Sequence, residues 1–257
     1  MKAARGRYTN ASLEKGLTIL RTVAMASEPI GISETARRAS LDYSTTYRLM
    51  ATLTEMTFLE KSDDKTFRVG PAALPIGLAY KGTADLVTIA RPEMQRLMQG
   101  VLETVNLSLR EGIEMLLLAT TAGPHLLSSR THIGQRFPIH CSASGRMMLA
   151  TLPEQEREQL IDRLDLAPIT PHTITDAETL KSHVRAIAEA GYAVNREEHA
   201  LGLMAVSVPI RNRLGEVVAA LDIAVPTVRV SGDDLLEKLV RSLRETADRI
   251  GERLSAE

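Results

Sequence analysis

The stretch from Ile32 to Val69 restricts the fold most. Ser33 is expected to cap a short helix, Glu34–Ala39. Ser40-Leu41-Asp42 breaks that helix. Asp42 or Ser44 then caps another, running to about Met56, with Leu49 and Leu53 on one face. Two alternating segments follow, Phe58–Lys61 and Thr66–Val69, joined by the polar turn Ser62–Lys65. Upstream, Ser12 is expected to cap a helix over 13–26, with Leu13, Leu17, Leu20 and Ala24 at helical spacing. Pro29-Ile30-Gly31 ends it. Three short helices followed by a small hairpin have the layout of a winged helix-turn-helix.

That layout carries a nucleic-acid reading. A recognition helix needs an apolar face to dock it and short polar side chains in its first turn, nearest the groove floor. Tyr43, Ser44, Thr45 and Thr46 supply that turn, and Arg48 lies one turn on, within reach of a base edge or a phosphate. Arg37 and Arg38 end the preceding helix, where they suit its dipole and can touch the backbone. Lys65 and Arg68 in the hairpin can contact an adjacent groove. The same spacing also describes a capping run with solvated arginines. Charge distribution leans toward nucleic acid: residues 1–70 hold 11 Lys and Arg against 8 Asp and Glu, although the whole chain has a net charge of -1. A basic arm over residues 1–10, with Lys2, Arg5 and Arg7, adds to it. Aromatic residues are only 3% of the chain, which argues against stacking on single strands.

Beyond Gly70-Pro71 the pattern changes. Ala72–Gly82 reads as a linker helix, and a longer helix follows over about Leu86–Leu102, with Pro92 inside it or at a kink. Strands are expected near 105–111, 113–120, 125–131, 203–211 and 216–225. Helices are expected near 142–151, 153–163, 176–190 and 233–254. This is an α+β domain with an antiparallel sheet. The longest apolar run, Met115–Ala119, is strand length, so no membrane span is expected. One cysteine, Cys141, rules out a disulfide framework within the chain. These features suit a soluble cytoplasmic protein.

The two late strands suggest a ligand site. Val217, Ala219, Leu221, Ile223 and Val225 form one face, suited to packing on helices. The opposite face holds Val218, Ala220, Asp222 and Ala224, and Ala205 shares a face with Ser207. Small side chains leave room for a ligand, with a few polar groups to orient it. They equally admit a closely packed helix, with Asp222 capping it.

The chain resembles the IclR family of bacterial transcriptional regulators over nearly its whole length from about Ser12. Six islands carry the likeness: Ser12–Leu17, Ser44–Leu53, Phe67–Pro71, Ser144–Ala150, Thr170–Asp176 and Gly191–Glu198. The resemblance implies a winged helix-turn-helix over 1–71, a linker helix over 72–84 and a GAF-like effector domain over 85–257. It implies a homodimer or homotetramer on a palindromic double-stranded DNA operator. It further implies control by a small organic acid, often aromatic or a short keto acid, and no cofactor. By the same resemblance the effector contacts come from the loop before a helix, His140, Cys141, Ser142, Ala143 and Ser144, and from Asn195, Ala205, Asp222 and Ala224. Ser40 stands where many members have Gly, and Asn195 where others carry Asp. Asp222 replaces a common Ser, so it is expected to accept from a hydroxyl or amine of the effector, with the Ser142 turn taking any acid group.

An enzyme is the weaker class. The chain has neither a dinucleotide-binding glycine pattern nor a phosphate loop. Its histidines, His125, His132, His140, His172, His183 and His199, lack metal-ligand spacing. Ser142-Ala143-Ser144-Gly145 is not a nucleophile elbow. Glu197, Glu198 and His199 read as a solvated loop, and Cys141 as a buried, inert thiol.

Overall fold

The computed structural model describes residues 10–26, 28–78, 83–125, 131–230 and 233–254. The basic arm up to residue 9, residues 79–82 of the expected linker helix and 126–130 of the strand expected near 125–131 lie outside them. The chain divides into two compact units, Met1–Lys81 and Gly82–Glu257. Among the described residues no helix is long and apolar enough to cross a membrane.

The first unit contains α1 (Ala11–Ala24), α2 (Ile32–Ala39), α3 (Tyr43–Glu55), β1 (Leu59–Lys61), β2 (Phe67–Val69) and α4 (Ala73–Leu78). Its core is Ile19, Val23, Ile30, Met50, Leu59 and Phe67. Two caps differ from expectation. Asn10, not Ser12, opens α1, because its side-chain oxygen accepts from Ser12 N at 3.0 Å and Leu13 N at 3.2 Å. Gly31, not Ser33, precedes α2, and no side chain caps that helix. Asp42 caps α3 by accepting from Thr45 N at 2.8 Å. Ile30 exchanges two backbone hydrogen bonds with Phe67, at 3.1 and 2.9 Å. The break at Pro29-Ile30-Gly31 thereby anchors the hairpin to the helices. The expected linker helix overlaps α4.

The second unit is built on a six-stranded antiparallel sheet. After α5 (Thr83–Val101) come β3 (Thr104–Glu111), β4 (Glu114–Thr121), β5 (Arg136–Pro138), α6 (Ala143–Ala150), α7 (Glu154–Ile161), α8 (Ala177–Ala190), β6 (Ala193–Arg196), β7 (Leu203–Arg211), β8 (Val217–Pro226) and α9 (Asp233–Gly251). The strand order is β5-β4-β3-β8-β7-β6. Met94 and Leu97 of α5 and Leu243 and Ile250 of α9 pack on Leu107, Val206, Leu221 and Ile223. On the other face Met147, Leu180 and Val184 pack with Ala193 and Ala220.

Strand β5 is absent from the sequence reading. It is three residues long and ends in proline, which a sheet tolerates at its edge, where β5 lies. The alternation read along β8 holds from Ala219 to Val225 but fails at its start. Ile210 pairs with Ala219 while Arg211 pairs with Val217, leaving Val218 as the extra residue of a bulge. Val218 therefore joins the α5–α9 core and Val217 the opposite one, reversing the expected faces of both.

Candidate DNA-reading surface and ligand cavity

Helix α3 docks through Met50, fully buried, and Leu49 and Leu53 against the first core. Its outward side carries Tyr43, Ser44, Tyr47 and Arg48, all exposed, with Thr45 half-buried. Thr46 is a correction: it is fully buried and donates its hydroxyl to Asp42 O at 2.8 Å. At helical spacing, position 46 falls beside Met50 on the docking side, so it cannot reach a groove. Tyr47 went unread as a candidate. It stands one turn after Tyr43, and the two are 54% and 56% exposed in a chain poor in aromatics.

The cations around α3 differ in availability. Glu34 accepts from both nearby arginines: Arg37 Nε at 2.8 Å and Arg38 Nε at 2.6 Å. Hydrogen bonds from Arg37 first and then Arg38 hold the Glu34 carboxyl down to about 2. Arg68 is likewise paired across the hairpin with Glu60, at 2.9 Å. Among the described residues, Arg48 and Lys65 have no carboxylate partner. Lys65 sits exposed at the hairpin tip with φ 64°. Asp64 holds that tip by accepting from Thr66 N and its hydroxyl, at 3.1 and 2.6 Å.

In the second unit a cavity of about 600 Å³ opens on the sheet face away from α5 and α9. Strand register builds its floor in two rows. Asn106 and Asp222 stand side by side on β3 and β8; Asn195, Ala205 and Ala224 form a second row on β6, β7 and β8. Of the expected effector residues, Ser142, Ala143, Asn195, Ala205, Asp222 and Ala224 line the cavity. His140 and Cys141 are not among its lining residues. His140 Nε2 lies 3.2 Å from Ala167 O, and burial lowers its pKa. Cys141 is buried, its thiol pushed up to about 11 by desolvation, which makes it a poor nucleophile. Ser144, the last residue of the expected loop, lines it too, while the reading missed Asn106, Ser108 and His199. Exposed Leu201 and Val228 border it as well.

Much of this polar lining is already bonded. The Ser142 hydroxyl donates to Pro138 O at 2.9 Å and accepts from Gly145 N at 3.2 Å. A ligand there would meet the N–H groups of Ala143 and Ser144 in the first turn of α6, since those of Gly145 and Arg146 are taken by Ser142. Gly145 is required, since a Cβ would lie 2.3 Å from Ile139 O. Asn195 donates to Cys141 O at 2.5 Å, a bond an aspartate could not make, and accepts from Glu198 N at 3.3 Å. Asp222 accepts from Asn106 Nδ2 at 3.0 Å. Burial pushes the Asp222 carboxyl up to about 7, against the lowering effect of that hydrogen bond.

Behind the cavity lies a buried ion pair. Arg146 of α6 is fully buried, donates to His140 O at 2.7 Å and grips Glu198 through both terminal nitrogens, one at 2.6 Å. The segment 197–199 is therefore not a solvated loop. Glu198 is buried, and His199 lines the cavity edge-on to Phe137, ring centres 5.2 Å apart.

Comparison with known proteins decides the family. The model of the bacterial transcriptional regulator IclR C-terminal domain matches residues 78–252, and that of the IclR helix-turn-helix domain matches residues 12–63. The chain belongs to the IclR family of bacterial transcriptional regulators. It is 32% identical over 223 residues to the HTH-type transcriptional repressor AllR of Escherichia coli (strain K12), covering 86% of this chain and 82% of that protein. AllR of Klebsiella pneumoniae is 31% identical over 240 residues, 93% of this chain and 88% of that one. An IclR homolog from Microbacterium hydrocarbonoxydans, solved with 4-hydroxybenzoate, superposes with a TM-score of 0.79 at 29% identity, covering 94% and 98% of the two chains. The Thermotoga maritima IclR gives 0.75 at 28% identity, covering 93% and 97%.

As an IclR-family regulator the protein couples a DNA-binding helix-turn-helix to a C-terminal ligand-binding domain. Its departures from the family pattern have local explanations. Ser40 occupies the left-handed region, φ 54° and ψ 44°, at the end of α2, where glycine carries no steric cost. Asn195, expected where others carry Asp, supplies a donor that ties β6 to the loop before α6.

Proposed function

We propose that this IclR-family regulator binds a palindromic operator through the outer face of α3 and represses transcription until a small organic ligand occupies its cavity. The observation that carries the DNA reading is the solvent-facing set Tyr43, Ser44, Tyr47 and Arg48, with Arg48 lacking any carboxylate partner among the described residues. Thr45 and Lys65 complete the surface, while Arg37, Arg38 and Arg68 would contact phosphate only by sharing or leaving their glutamates. The functional boundaries are 1–71 for the winged helix-turn-helix, 72–84 for the linker and 85–257 for the effector domain. The effector contacts are Ser142, Ala143, Asn195, Ala205, Asp222 and Ala224. Repression follows the AllR relatives, and an organic-acid effector follows the Microbacterium homolog's 4-hydroxybenzoate complex. A cytoplasmic location and the lack of catalytic activity follow from the same reading.

Palindromic DNA calls for a two-fold protein. Leu13 and Leu17 lie one turn apart on α1 and are 62% and 57% exposed; Leu74 and Ile76 of α4 are 65% and 61% exposed. Such side chains suit the interface of a homodimer, two of which would form the tetramer. Selection of random duplexes by the full chain tests the proposal. It should enrich an inverted repeat, with half-sites about one helical turn or a multiple apart. Asymmetric sites, or no enrichment, would contradict it.

A further inference from the structure

The family places a ligand in this domain but does not say which chemistry this cavity accepts. Three observations narrow it. Asp222 is 6% exposed, lies on the cavity floor and has Asn106 as its hydrogen-bond partner, through Oδ2. Asn106 is held from behind: its Oδ1 accepts from Thr120 Oγ1 at 2.8 Å and from Thr131 Oγ1 at 3.3 Å. That arrangement points the amide N–H groups at Asp222, so the relay delivers donors and ends on a carboxylate that can only accept once ionised. Asp222 Oδ1 has no partner among the described residues and is not a sealed unsatisfied atom, so it remains open to the cavity.

The third observation concerns the charges around Asp222. Among the described residues lining the cavity there is no lysine or arginine. The neighbours of Asp222 on β3 and β7 are the neutral Asn106 and Ser207. Arg146 of α6 is committed to Glu198. His199, the other titratable lining residue, has its pKa lowered by burial and by His140, which favours its neutral form. A carboxylate withdrawn this far from water is costly unless a cation meets it or it takes up a proton. The first turn of α6 offers the opposite polarity, with backbone N–H groups and the Ser144 hydroxyl on the same cavity.

We infer that the cavity takes an amine-bearing organic acid, its ammonium group on Asp222 and its acid group at the first turn of α6, so that Asp222 sets ligand specificity. This rests on reading the cavity as the effector site. An ammonium supplies donors and neutralises the buried charge together, whereas a hydroxyl supplies only the donor. A simple carboxylate leaves Asp222 uncompensated. Binding of the amine also draws Asp222 into its ionised form, which burial otherwise resists near neutral pH.

Matched acids test the inference by calorimetry on the full chain. Benzoate, para-hydroxybenzoate and para-aminomethylbenzoate form one set; butyrate, γ-hydroxybutyrate and γ-aminobutyrate form another. The amine of at least one set should bind about ten-fold or more tighter than its two partners. That preference should vanish in both Asp222→Asn and Asp222→Ser, each first checked for a single cooperative melting transition. Raising the pH from about 6 to about 8 should strengthen amine binding alone, since such an amine, like lysine, stays protonated throughout. Equal or tighter binding of benzoate or of the hydroxy acid, or a preference that survives both substitutions, would overturn the assignment while leaving the cavity a ligand site. If no acid bound to either protein, the reading of the cavity would fail, and this inference with it.

Discussion

On the outer face of α3 the side chains of Ser44 and Arg48 meet solvent with no side-chain partner among the described residues, whereas around the cavity Asn106, Ser142, Arg146 and Asn195 are each bonded within the chain. The first arrangement separates function from stability, because an exposed side chain can change without disturbing the core that Met50 anchors. The second joins them, because each cavity residue also holds a loop or a strand in place. Substitutions in the two units should therefore fail in different ways.

Arg146→Ala should produce the largest effect. It leaves Glu198 charged and buried, which typically costs about 3–5 kcal/mol. Chemical denaturation should show the second unit destabilised by that order. A loss below about 1 kcal/mol would mean that the pair is solvated and that the cavity wall does not depend on it.

Asp222→Asn comes next and depends on pH. The Asp222 pKa is raised from 3.8 to about 7, so the native state holds this proton more tightly than the unfolded chain does. Stability from this group is fully present below pH 3.8 and is lost as pH rises through about 7. The asparagine variant avoids that loss. It should be more stable than the wild type at pH 8 by on the order of a few kcal/mol in chemical denaturation, and the two should converge near pH 4. A constant difference across that range would mean that burial does not raise the Asp222 pKa.

On the DNA side Arg48→Ala should cost operator binding ~1–3 kcal/mol while leaving the melting temperature nearly unchanged. A large drop in melting temperature would break the comparison, since it would make Arg48 structural. The smallest effect is expected for Ser40→Gly, which relieves a left-handed residue and should stabilise the first unit by about 0.5–1 kcal/mol. No gain would mean that the Ser40 side chain compensates its own strain.

The exposed site was legible in the sequence because its residues are contiguous. Ser44, Thr45 and Arg48 lie within five residues, and only the helical phase, which turns Thr46 inward and Tyr47 outward, had to come from the fold. The cavity was legible only in part. Alternation along β8 separated Asp222 and Ala224 from Leu221 and Ile223, and the same rule applied to β3 separates Asn106 and Ser108 from Val105 and Leu107. The bulge at Val218 escaped because local sequence does not specify a register shift. Glu198 read as a surface charge because its partner Arg146 lies 52 residues away. Long-range pairing of that kind is set by topology and not by spacing.

The account depends above all on α3 meeting duplex DNA with its outer face. Fluorescence anisotropy with duplex from the protein's own upstream region, titrated over rising salt, measures this most directly when the wild type and Arg48→Ala are run together. Tight binding with a steep salt dependence, weakened by the substitution, is the expected result. Salt-independent association, or identical curves for the two proteins, would contradict it.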